Sequence, residues 1–278
     1  MKMKIALIAL TMLSLLLLAV PLLHFNLTSS QFVIQPSISQ PADQSPVISS
    51  DSDNVERCKK SSSVEVERSV PLIEQNPELP NGCEVTSLAM LLAWAGTPVD
   101  KVELSENYLL KEDISSVGPD PELVFAGDPA DADGWYCFED PILMAGNTYL
   151  SEQSSRYQAI SLTGISQAAL ERYLDADIPL AVWVTLDYSE PVRSSAPGWA
   201  LADGSWYIPY GNLHCVVLTG WDGEDYRIAD PLSGWESVAP DRFWQSFDAM
   251  GQRAVALLNG KTARCLDVEV AGDSELTF

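Results

Sequence analysis

The stretch Leu79–Gly96, LPNGCEVTSLAMLLAWAG, sets a cysteine, Cys83, at the mouth of an almost wholly apolar segment. Val85, Leu88, Leu91, Leu92 and Ala95 recur at helical spacing, and Gly96 and Pro98 supply a stop, so the pattern predicts a helix over Glu84–Ala95. After Ser87 the segment is apolar on nearly every side, which puts the helix at the centre of a domain. Cys83 then falls in the last turn before the helix or in its first turn. Unpaired N–H groups and the macrodipole lower a thiol pKa there from about 8.5. Glu84 opposes this, because a neighbouring carboxylate raises a thiol pKa. Cysteines of exported proteins are mostly structural, so the rest of the chain has to decide between packing, crosslinking and reaction.

A reactive cysteine needs a base. Of the two histidines, His24 lies in an N-terminal apolar region, which leaves His214. It stands in Gly211–Pro231, GNLHCVVLTGWDGEDYRIADP, where two apolar runs around WDGED predict a β-hairpin. A loop of Trp221–Gly223 would pair Gly220 with Glu224 and His214 with Asp230, at the ~5 Å that lets a carboxylate hold an imidazole. A two-residue Asp-Gly turn would bring Cys215 opposite Asp230 instead, so the register stays open. Cys215 adjoins His214 in sequence but points to the opposite strand face, which makes Cys83 the better partner. Acyl transfer also needs oxyanion donors: the Cys83 N–H and a side-chain amide upstream, Gln75 or Asn81, are available.

Working outward, Val64–Ile73 (VEVERSVPLI) alternates like a strand and marks the start of the domain. Asp100–Lys111 reads as a second helix, Ile142–Leu150 and Ser166–Leu174 as further helices, and Ile178–Asp187 as a buried strand. Between them Ser116–Asp140 is a long Gly/Pro/Asp excursion, the kind of segment that tends to be functional. The organisation expected is an N-terminal signal or membrane anchor over 1–25, a flexible Ser/Pro-rich stalk over 26–63, the catalytic domain over 64–260 and an acidic tail over 261–278. Met1–Lys4 supplies two lysines, Ile5–Leu23 is an apolar run close to the ~20 residues that span a bilayer, and no Lys or Arg follows until Arg57. The domain is therefore expected outside the cytoplasm, tethered by that helix or secreted after its cleavage.

Sixteen Lys and Arg against thirty-nine Asp and Glu give a formal charge of -23 and a pI near 4.2. That balance repels nucleic acid and anionic membrane surfaces and favours neutral or basic partners. Phosphate-cradling glycine motifs and Cys-x-x-Cys pairs are absent from the sequence, and two histidines are too few for an ordinary zinc site. No metal or cofactor is expected. With Cys83 kept as a thiol, Cys58, Cys137, Cys215 and Cys265 could pair in three ways; Cys58 with Cys265 would tie the domain ends, and Cys215 reads as a buried thiol.

Three blocks together, Val70–Gly96, Phe125–Pro141 and Asn212–Gly234, resemble the C39-like cysteine peptidases of the papain-like superfamily, in the same order across about Val70–Leu258. The resemblance implies an α+β papain-like fold, with a central helix carrying the cysteine packed on an antiparallel sheet carrying the histidine. It also implies roles: Cys83 as nucleophile, His214 as general base, Asp230 as its orienter and Gln75 as an oxyanion donor. The substrate would be a peptide or protein. Better-known relatives remove double-glycine leaders while fused to a transporter, whereas this chain carries no nucleotide-binding motif. Two alternatives share the same residues: a thiol-dependent amidase or transpeptidase, and a non-catalytic binding or adhesive domain in which Cys83 is inert.

Overall fold

Helix α1 (Cys83–Trp94) forms one residue earlier at each end than the apolar spacing predicts. The computed structural model describes residues 69–115 and 117–266, which lie within one compact unit of residues 48–278. Eleven of the twelve α1 residues are buried, so this helix is core on every side. It stops in a Schellman turn: Gly96 adopts φ 85°, its N–H bonds to the Ala93 carbonyl, and the Thr97 N–H reaches back to that of Leu92. At the other end Gly82 delivers the chain into α1, and a Cβ there would lie 2.6 Å from the Leu79 Cβ. Only glycine fits that approach.

Helix α2 (Lys101–Asn107) is capped by Asp100, whose carboxylate accepts the N–H groups of Val102 and Glu103. It is shorter than the Asp100–Lys111 expected. The following chain turns extended to pair as β1 (Lys111–Glu112) with β2 (Phe125–Ala126) of the excursion, and tertiary pairing there overrides helical preference. The remaining elements are α3 (Glu139–Glu152), β3 (Tyr157–Ser161), α4 (Gln167–Asp175), β4 (Leu180–Thr185), β5 (Trp199–Ala200), β6 (Trp206–Tyr207), β7 (Leu213–Trp221), β8 (Tyr226–Asp230), β9 (Gly234–Val238), α5 (Pro240–Ala249), β10 (Ala254–Asn259) and α6 (Gly260–Cys265). The first residues of the expected tail are thus helical.

Six strands make one antiparallel sheet in the order β3-β10-β4-β7-β8-β9. Every residue of β4 and β10 is buried, which requires cover on both faces. On one face lies α1, with Ser87 bonding the Cys215 carbonyl and Trp183 of β4 bonding that of Cys137. On the other, Phe243 and Trp244 of α5 pack on Tyr226 of β8. A cysteine-bearing helix on an antiparallel sheet that carries the histidine is the α+β papain-like arrangement.

The β7–β8 hairpin follows neither expected register. Trp221 pairs with Tyr226 across a four-residue loop, Asp222–Asp225, because the Asp222 carboxylate accepts the N–H groups of both Glu224 and Asp225. Continued alone, that register would set Asp230 opposite Val217, on the face away from His214. An irregularity between Leu218 and Gly220 corrects it: Val217 pairs with Ala229, so Asp230 comes level with Val216 and shares the face of His214.

Ser69–Ile73, the described part of the expected first strand, has no regular structure; Pro71 cannot donate to a ladder. Cys83, Cys137 and Cys215 are free and buried. The anchor, the stalk, Cys58 and residues 267–278 lie outside the described residues, as does any Cys58–Cys265 bridge. Among the described residues no helix is long and apolar enough to cross a membrane.

Candidate active site

Gln75, Asn81, Cys83 and His214 all line one cleft of about 390 Å³, whose other walls include Trp135, Tyr136, Leu186, Tyr210, Leu213 and Leu232. Cys83 is the first residue of α1, so its backbone N–H is among those an α-helix leaves without an internal acceptor. The residue is only 7 % exposed.

His214 is the second residue of β7, opposite Val184 of β4. Its Nε2 lies 2.8 Å from the Asp230 Oδ1, and both side chains are buried. With Nε2–H donated to a carboxylate, Nδ1 is left as the nitrogen that can take a proton. The same Asp230 oxygen accepts the N–H groups of Leu232 (2.7 Å) and Ser233 (3.2 Å). Asp230 thus begins the turn at Pro231 and holds the imidazole at once. Burial works to raise its pKa, but the His214 contact and the two N–H groups outweigh burial and hold it below the usual aspartate value.

Gln75 reaches the cleft on a loop fixed from two sides. Its N–H donates to the Pro231 carbonyl at 2.7 Å, which ties it to the end of β8 beside Asp230. From α2, the Lys101 ammonium bonds the carbonyls of Glu74 and Gln75 and pairs with Glu78. The Gln75 amide Nε2 gives one hydrogen to the Pro80 carbonyl at 2.7 Å, and its second hydrogen remains for another acceptor. Asn81, the other amide considered, instead bonds the Asp131 carbonyl through Nδ2, stitching the excursion to the approach of α1.

The helix N-terminus does not set the thiol's chemistry as its position implies. Burial first, and then the Glu84 carboxyl, push the Cys83 pKa well above the usual thiol value. The thiol donates to the Glu84 Oε2 at 3.3 Å. Cys215, as its strand parity requires, is buried under α1 and does not line the cleft.

The aromatic wall comes from segments that carry no catalytic motif. The Tyr136 hydroxyl contacts that of Tyr207 at 2.8 Å and accepts the Tyr210 N–H at 2.7 Å, joining the excursion to the β5–β6 segment. Their composition signals loops, and only the length of the excursion hinted at a role. On the far side of His214 a second cleft of about 380 Å³ shares Leu186 and His214 with the first and adds Tyr188, Asp230, Glu236 and Arg242. Asp187 and Tyr188, at its rim, both adopt positive φ (55° and 52°), a strained conformation for such residues.

A family model, the Peptidase_C39 like family, matches residues 67–255. This chain belongs to that family. It is 34% identical over 185 residues to the uncharacterized protein YvpB of Bacillus subtilis (strain 168), covering 65% of this chain and 70% of that protein. It also resembles the crystal structure of a C39-like peptidase from Bacillus anthracis, with 31% identity and a TM-score of 0.60 over 68% of this chain and 94% of the other.

Proposed function

We propose that this C39-like protein is a cysteine peptidase that hydrolyses a peptide or amide bond by way of a thioester on Cys83. The observation that carries this reading is the convergence of Cys83, His214 and Gln75 on one cleft, with Asp230 hydrogen-bonded to the histidine.

In the reaction, the Nδ1 of His214 takes the Cys83 proton and the thiolate attacks the substrate carbonyl. The Cys83 N–H and the Gln75 Nε2 hold the oxyanion. Collapse expels the amine, protonated by His214, and leaves the thioester. His214 then deprotonates a water that attacks the thioester and restores the thiol. Asp230 keeps the imidazole in the tautomer that presents Nδ1 and steadies the imidazolium formed in each half-reaction. No step calls for a metal or cofactor.

The apolar run Ile5–Leu23 with its one-sided lysines supports an enzyme held outside the cytoplasm, and the charge of -23 supports neutral or basic substrates. Hydrolysis of a mixed peptide library tests the activity: the wild type should cleave, iodoacetamide should stop it, and Cys83→Ala and His214→Ala should both be inactive. Cleavage by Cys83→Ala at the wild-type rate contradicts the reading. Products joined to an added amine would assign a transferase in place of a hydrolase.

A further inference from the structure

Glu84 is the second residue of α1, fully buried, and the reaction above uses none of its atoms. Its two oxygens are engaged separately. Oε2 accepts the Cys83 thiol proton at 3.3 Å, and Oε1 accepts the Cys137 N–H at 3.3 Å. Cys137 lies near the end of the excursion, just ahead of α3, so the carboxyl is fixed from outside its own helix. A carboxylate that accepts S–H favours thiol over thiolate. A proton directed at Glu84 is also not being offered to His214.

We propose that Glu84 is a positioning residue that holds Cys83 in its protonated resting form and releases it when the carboxyl loses its charge. This rests on the reading of Cys83 as the nucleophile. The titratable groups facing Glu84 are thiols: Cys83 on its own helix, Cys137 ahead of α3 and Cys215 on β7. Each has its pKa pushed up by burial and next by the Glu84 charge. Glu139 adds to the effect on Cys137, and Asp230 to that on Cys215. Burial raises the Glu84 pKa itself to about 7. The carboxyl therefore changes charge in the neutral range. Below it the thiol ionises against a neutral neighbour, and above it against an anion.

The pH dependence of Cys83 alkylation by iodoacetamide, located by mass spectrometry in the full chain, tests this. Measurement in a His214→Asn background removes the imidazole titration and keeps a donor toward Asp230. An isolated thiol gains a decade in rate per pH unit below its pKa. Coupled to Glu84, the gain should flatten to about half a decade per unit between about pH 7 and 8.5, since each step also charges the carboxyl. Adding Glu84→Gln should restore the full slope and raise the rate at pH 8 about fivefold, whereas Glu84→Asp, which keeps the charge, should retain the flattening. A uniform decade per unit with Glu84 present, or a rate unchanged or lowered by Glu84→Gln, overturns the proposal. Should the Gln variant not fold, the slope with Glu84 in place decides alone. Failure of the peptidase reading would appear elsewhere, as absent hydrolysis by the wild type, and leaves these slopes readable.

Discussion

Replacing Glu84 by Gln should stabilise the protein at alkaline pH and leave it nearly unchanged in mild acid. The carboxyl is fully buried, and burial outweighs its hydrogen bonds from its own N–H, the Cys83 thiol and the Cys137 N–H and raises its pKa from the ordinary 4.5 to about 7. A carboxyl whose folded pKa lies above its unfolded one supports folding fully below the unfolded value. That support is lost as pH rises through the folded value. Between pH 4.5 and 7 the loss is on the order of 3 kcal/mol, at about 1.36 kcal/mol per pKa unit. Gln cannot ionise, keeps an oxygen for the Cys137 N–H, and is spared the loss. Urea unfolding at pH 5 should give wild type and Glu84→Gln similar midpoints. At pH 8.5 the variant midpoint should be higher by about 1 M, for an m-value of about 2–3 kcal/mol/M. Asp230, whose pKa is lowered, contributes equally to both proteins and cancels. A midpoint difference that does not change between the two pH values would mean that Glu84 does not change charge in the folded protein over this range.

Gln75→Ala should lower kcat by about 10²–10³ with KM little changed, while iodoacetamide labels Cys83 at the wild-type rate, because the amide hydrogen not given to Pro80 meets the oxyanion and not the thiol. Asp230→Asn should slow turnover in steady-state assays, by less than His214→Ala does, since Asp230 orients the ring and does not carry the proton. Leu88→Ala, at a fully buried α1 position, should cost about 2–5 kcal/mol in denaturant unfolding.

The helix that carries Cys83 was legible because its apolar residues surround it and Gly96 stops it, two local signals that tertiary packing had no reason to override. The pairing of His214 with Asp230 was legible in kind and not in register. The loop length depended on how the Asp222 carboxylate would cap its turn, and a strand irregularity near Thr219, which alternation cannot forecast, restores the shared face. Position at a helix N-terminus foretold a low thiol pKa, while burial set the opposite, since no pattern of residue types reports how completely a side chain is covered. Glu84 was visible as a neighbour of Cys83. Its second contact, the Cys137 N–H, comes from a residue far along the chain and needed the fold. The aromatic cleft wall, Trp135, Tyr136 and Tyr210, likewise arises only when the excursion meets the segment before β7.

The central claim is that Cys83 forms a covalent acyl intermediate. Its most direct test is intact-protein and peptide mass spectrometry after incubation with a peptide bearing a thiol-reactive carbonyl electrophile. A single adduct on Cys83 is expected, with none on Cys137 or Cys215, slower formation in His214→Ala and no adduct in Cys83→Ala. Modification of another cysteine in place of Cys83, or an adduct on Cys83 that forms equally fast in His214→Ala, would contradict it.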